Sequence, residues 1–301
     1  MLMPTQEAVI RSGCFFGTLL VMAVWEFLAP RRPLTQNKRQ RWFSNLGLAL
    51  LNNFVWRLLM PAGAVGLAVS VQARSWGLFN SVELPKWFEV AASVVLLDLA
   101  IYGQHWAFHR IPWLWRLHLV HHVDLDIDAT TGVRFHTVEM LLSFVWKAAV
   151  IALLGAPALA VMIFEILLNA TALFNHSNAR LPLWLDRVLR LALVTPDMHR
   201  VHHSIENHET NSNYGFSLSW WDFLFRTYDA QPDAGHEDMI IGRPEFRDAE
   251  VERLSFMLLL LLPFRRELPP TPCQHAAGSG VRISEFADED LEPAKDDGGK
   301  F

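Results

Sequence analysis

Apolar runs at 9–28, 46–71, 88–103 and 141–174 alternate with short polar connections, and this pattern organises the chain. A membrane-crossing helix needs roughly 20 mostly apolar residues, so the runs predict an all-α integral membrane protein with about four transmembrane helices. The last run is interrupted at Gly155, Ala156 and Pro157, which predicts a helical hairpin. The second carries Asn52, Asn53 and Arg57, so a tilted helix or one starting at the interface is expected there. No basic segment and no small-residue cleavage site precedes the first run, which reads as a retained span.

The connections orient the spans. Residues 31–44 carry Arg31, Arg32, Lys38, Arg39 and Arg41 and no acid, which places that loop in the cytoplasm. Threading the spans from this loop brings 105–136 and 177–301 to the same side, where a helical lobe is expected. The segment 256–262 is apolar but too short to span, which predicts an interfacial or core helix. Beyond Pro269 the chain is rich in Pro, Gly and acids, a composition that predicts disorder. The expected units are the N-terminal spans with their basic loop (1–90), a histidine-rich domain (91–245), an apolar helix (246–268) and an acidic tail (269–301).

Composition agrees with a membrane chain: 51% of the residues are hydrophobic and twelve are tryptophan, with a mean hydropathy of +0.19. The net charge of −5 is carried by residues 284–301, and the balanced remainder offers no basic face to nucleic acid. Cys14 and Cys273 lie in an apolar run and a Pro-rich tail, which argues against a disulfide framework or a thiolate site.

Eight of the thirteen histidines form three boxes: His105 and His109; His118, His121 and His122; His199, His202 and His203. Residues three or four apart share one face of a helix, so each box can aim several imidazoles at one spot. Neutral imidazole binds iron, zinc or copper, and eight nitrogens exceed the needs of one ion, so two ions are implied. Asp98 shares a helical stripe with Tyr102 and His109. It is either an acceptor for a ligand's ring N–H or an acid stabilised by a neighbouring polar helix.

The boxes resemble those of the fatty acid hydroxylase / sterol desaturase superfamily, whose pattern is HxxxH, HxxHH and HxxHH. The context is similar as well: Asp128, Thr130, Thr131, Arg134, His136 and Glu139 after the second box, and Asn175, His176 and Asn178 before the third. Asn213, Tyr214 and Gly215, with Trp221, Asp222 and Phe225, follow it. The resemblance covers about residues 90–230. It implies a four-helix membrane core with a cytoplasmic lobe holding a dimetal site, and O2-dependent hydroxylation or desaturation of a lipid such as a sterol or fatty acyl chain. It makes the eight box histidines metal ligands and catalytic residues and adds His176 as a ligand. His136 is either a further ligand or a structural group. The implied cofactors are two iron ions, zinc being able to occupy the same nitrogens, with O2 as co-substrate.

With no haem-domain pattern within the 301 residues, electrons are expected from a separate partner of the ferredoxin, cytochrome b5 or reductase type. His208, His236 and His275 match no box and read as surface histidines. Trp106, Phe108, Trp113 and Trp115 are placed to shape a lipid entrance or to anchor at the interface. The alternatives are a membrane metal transporter, disfavoured because the boxes lie at helix ends in polar segments, and a non-catalytic lipid-binding relative. A zinc hydrolase lacks its His-Glu-x-x-His motif here.

Overall fold

A computed structural model describes residues 4–247, 256–266, 268 and 270–272. Its helices, in chain order, are α1 (Pro4–Leu28), α2 (Lys38–Leu59), α3 (Gly63–Ala73), α4 (Leu78–Ser81), α5 (Lys86–Arg110), α6 (Pro112–His122) and α7 (Thr137–Leu154). There follow α8 (Ala158–Asn175), α9 (Leu183–Leu189), α10 (Pro196–His202), α11 (Asn207–Thr210), α12 (Trp220–Phe225), α13 (Gly235–Asp238) and α14 (Phe256–Leu261). Among the described residues the only β pairing consists of isolated bridges. The all-α membrane fold expected from the sequence is what the chain adopts. Five helical segments are long and apolar enough to cross a bilayer: Gln6–Leu28, Lys38–Ser81, Lys86–Arg110, Thr137–Leu154 and Ala158–Asn175. Phe16, Leu20, Phe27, Phe54, Leu58 and Leu153 are largely exposed on these helices, the surface of a protein that meets lipid.

Breakers decide where the helices stop. Pro61 pulls Met60 out of the helical region, so the second apolar run is two helices, α2 and α3, and not one tilted span. The run expected to end near Gly103 continues to Arg110, because the next breaker is Pro112. Ile111 is extended before that proline, which then serves as the first residue of α6. The predicted hairpin is present: α7 ends on Gly155 in the left-handed region (φ +67°), and Pro157 opens α8.

The main core joins α3, α5, α7 and α8 through Ala64, Ala68, Leu97, Ile101, Phe144, Ile151, Val161 and Phe164. A second layer packs α14 on α2 and α6 through Leu48, Trp115, Leu119, Leu259 and Leu262, so the short C-terminal helix is a core element. Polar groups pin the connection between α6 and α7. Arg41 of α2 donates to Asp124 at 2.8 Å and to Asp128 at 2.6 Å, all buried. Arg134 donates to Asn45 at 3.0 Å, and Asn45 to Thr130 at 3.0 Å. Removing one partner of such a buried pair costs roughly 3–5 kcal/mol, so this network fixes the second box relative to α2. Of the tail expected to be disordered (269–301), residues 270–272 are described, with Thr271 buried; its other residues, Cys273 and His275 among them, lie outside the described residues.

Candidate metal centre

Four segments deliver imidazoles to one buried region. The C-terminal turn of α5 carries His105 and His109, α6 carries the second box, and α10 with its C-cap carries the third. His176 caps the end of α8. Local sequence explains these placements. Thr195 caps α10 by accepting from Met198 N, and Pro196 follows as the first helical residue, so the third box begins within one turn. A 3₁₀ turn at Ala129–Val133, held by reciprocal Asp128 and Thr131 bonds, packs on α8. Gly132 permits this approach, since a Cβ there would overlap the Ala172 carbonyl and crowd His176 Nδ1.

The nine histidines sort into two buried groups. His105, His109, His118, His122 and His202 form one; His121, His176, His199 and His203 form the other. Within each, one nitrogen per ring lies within 4.8 Å of all the others. In the first, the His105 ring is 4.6 Å from His202 and 5.0 Å from His118, and His109 is 4.8 Å from His122. In the second, His176 is 4.3 Å from His199 and 4.9 Å from His121. The groups adjoin: the His122 and His203 rings stack at 4.7 Å.

Hydrogen bonds set the tautomers. His105 Nδ1 faces Tyr214 O at 2.8 Å, His121 Nδ1 faces Arg134 O at 3.2 Å, His176 Nδ1 faces Ala172 O at 2.8 Å and His202 Nδ1 faces Ser212 O at 2.7 Å. His118 Nδ1 faces the Glu139 carboxylate at 2.6 Å. Each oxygen accepts the Nδ1 proton, which leaves the Nε2 lone pair aimed inward. The Nε2 atoms of His105, His118, His122, His202 and His203 are buried and have no protein partner. Three others crowd together: His176 Nε2 is 3.1 Å from His121 Nε2 and 3.0 Å from His199 Nε2. Burial, and for most of them the neighbouring rings, holds the imidazoles of α6, α10 and His176 well below the usual histidine range. His118 and His176 are held down to about 3. Buried lone pairs without donors are costly unless something fills the space between them. Nitrogen ligands in groups of five and four fit two ions that accept imidazole.

Other expected participants lie elsewhere. His136 joins neither group: it caps α7, with Nδ1 accepting from Val138 N at 3.2 Å and Nε2 facing Leu260 O at 3.2 Å. Both its nitrogens are used, so its place is structural. Asp98 touches no histidine; it accepts from Trp221 Nε1 at 2.8 Å and Leu218 N at 3.1 Å, the helix-stabilising alternative. The carboxylate beside a box histidine is instead Glu139, whose signal in the sequence is a lone acid in the first turn of an apolar helix.

His236 corrects the surface reading: it is buried, 3.7 Å from Asp197, which also pairs with Arg31 and Arg200. His208 is exposed near Asp233. The aromatic set divides, for Trp106 and Trp113 are exposed while Phe108 and Trp115 are buried. Trp115 walls the five-histidine group 5.0 Å from His109.

Comparison with known proteins follows this geometry. Residues 90–227 match the fatty acid hydroxylase family model. An ornithine lipid hydroxylase of Rhizobium tropici is 27% identical over 258 residues, covering 84% of this chain and 75% of that protein. An alkylglycerol monooxygenase of Xenopus tropicalis is 28% identical over 193 residues, 61% of this chain and 41% of that protein. A methylsterol monooxygenase of Arabidopsis thaliana is 26% identical over 233 residues, 71% of this chain and 85% of that protein. No solved structure gives a significant match. The matched region, which holds all three boxes and His176, is similar to the fatty acid hydroxylase / sterol desaturase superfamily, as the sequence implies.

Proposed function

We propose that the chain is an O2-dependent lipid hydroxylase that holds two iron ions, one among His105, His109, His118, His122 and His202 and one among His121, His176, His199 and His203. The observation that carries this reading is the paired arrangement of buried Nε2 atoms whose rings are oriented from behind by Nδ1 hydrogen bonds. When bound, the iron pair supplies the power to activate O2 for attack on an unreactive C–H bond. The protein contributes neutral, oriented imidazoles, a site walled from water by Trp115, Tyr214 and Phe135, and an apolar exterior through which a lipid chain can reach it.

Hydroxylation converts a C–H bond and O2 to an alcohol and water, with an electron pair and two protons supplied from outside. A separate ferredoxin, cytochrome b5 or reductase-type partner fills that role. Similarity to an ornithine lipid hydroxylase, an alkylglycerol monooxygenase and a methylsterol monooxygenase supports a lipid substrate. The basic loop holding Arg31, Arg32, Lys38, Arg39 and Arg41 supports a cytoplasmic site, since Arg31 and Arg41 bond directly to the segments bearing the boxes.

The test is reconstitution of the iron-loaded protein with a reductase and membrane lipids under isotopically labelled O2. The expected product is a lipid carrying one labelled oxygen atom. Loss of two hydrogens without oxygen gain would identify a desaturase instead. Unchanged lipids with fully loaded, reducible protein would defeat the proposal.

A further inference from the structure

Helix α9 is built inside out. Asp186 and the C-cap Arg190 turn inward, where Arg190 Nε lies 2.6 Å from Asp186 Oδ2 and both residues are buried, while Arg187 stays exposed. Leu183, Trp184, Val188 and the following Leu191 are between 57% and 69% exposed. A helix in water buries its apolar stripe, so the reversal marks a surface that meets something other than water. Helix α12 extends the same surface. Trp220, Phe223, Leu224 and Phe225 are exposed, while Trp221 and Asp222 face inward. The two helices form one unit, because Trp220 Nε1 donates to Leu191 O at 2.9 Å and Ser219 Oγ to Arg190 O at 2.6 Å. Neither is among the helices long enough to span.

Their depth follows from what holds them. Leu218 N and Trp221 Nε1 both donate to Asp98, the central residue of α5. At 1.5 Å per residue, Asp98 lies roughly 18 Å from either end of that helix. Ser217 Oγ also lies 2.9 Å from Thr171 Oγ1 of α8. The inner face of α12 is thus seated against the middle of α5, a helix long and apolar enough to cross a bilayer, where Trp221 packs with Tyr102. A soluble protein has no access at that level. Exposed Arg180, Arg187 and Arg226 stand around the apolar face, where long basic side chains reach anionic headgroups.

The geometry points to α9 and α12 as an amphipathic plate inserted in the bilayer leaflet on the histidine side, its occupant being lipid. The assignment rests on α5 spanning the membrane and is independent of metal or turnover. It is tested by site-directed spin labelling of the full chain, with Cys14→Ser and Cys273→Ser, in phosphatidylcholine/phosphatidylglycerol nanodiscs. Labels at Val188→Cys and Leu224→Cys are compared with Leu153→Cys on the exposed face of α7 and Arg39→Cys in the basic loop. The expected result is high collision with oxygen and low collision with an aqueous nickel chelate, as at Leu153→Cys. Chelate access matching Arg39→Cys would overturn the assignment in favour of a water-facing surface open to a protein partner. Protection from both reagents would overturn it in favour of contact with a second copy of the chain. An unchanged circular dichroism spectrum and melting temperature in each labelled protein confirm that the fold is intact.

Discussion

The two histidine groups share α6 and α10 but draw on them by opposite rules. In α6, the pair four residues apart, His118 and His122, turns to the five-imidazole group, and His121 turns to the other. In α10 and its cap, the equivalent pair, His199 and His203, turns to the four-imidazole group, and His202 crosses over. A His-x-x-His-His box is therefore not a site. It is a helix that stands between two groups, and placing two such helices against each other supplies three rings to each. The groups also differ behind the rings: the five-imidazole group has a carboxylate, Glu139, behind His118, while the bonds behind His121 and His176 end on neutral carbonyls.

The sharpest way to break this comparison is to remove one imidazole from each group. His202→Ala and His176→Ala are each expected to lose a single ion, from opposite groups, and to abolish lipid oxidation. Two retained ions in either variant, by elemental analysis of folded protein, would detach that group from metal binding.

Acid provides the next largest effect. The imidazoles of α6, α10 and His176 are held below their unfolded value near 6.5, so between about 6.5 and 3 the unfolded chain binds more protons than the folded one. Stability of the metal-free protein is thus full above 6.5 and falls as pH drops toward 3. Thermal melting across pH 5–8 (a range of about three units) is expected to show that decline; a flat profile would mean that these rings are not buried and neutral.

Glu139→Gln sharpens the contrast behind the rings. Loss of a partner to a metal-bound histidine typically costs roughly 10–100-fold in affinity, and that loss is expected for one ion only. Competition with a chelator resolves the two ions, and equal weakening of both would show that Glu139 does not distinguish them. The smallest effect is expected at His136→Ala. Losing a helix cap costs about 1 kcal/mol, so melting should shift slightly with both ions retained. Loss of an ion would return His136 to the ligand set.

Much of this is legible in the sequence. The four apolar runs, the last broken into a hairpin, fall within the five long helical segments, and spacings of three and four located eight of the nine converging rings. The divisions that escaped depend on rotation and long-range packing. Which of His118, His121 and His122 faces which group depends on how α6 is turned against α10. Asp98 was legible as an acid with two alternative roles, but its partner Trp221 arrives 123 residues later in the chain. His236 is drawn inward by Asp197, 39 residues away, which no local spacing reports. The break between α2 and α3 is different: Pro61 was visible within the second run, and the rule for the residue before proline locates it.

The order in which the ribosome makes the chain gives the two groups unequal histories. Four members of the five-imidazole group, His105, His109, His118 and His122, exist by the end of α6. The other group then has only His121, gains His176 after α8, and acquires half of its rings when residues 199–203 emerge. During biosynthesis one pocket is nearly furnished while its neighbour is still a pair of solitary rings, so maturation has a built-in sequence, with the last box closing both.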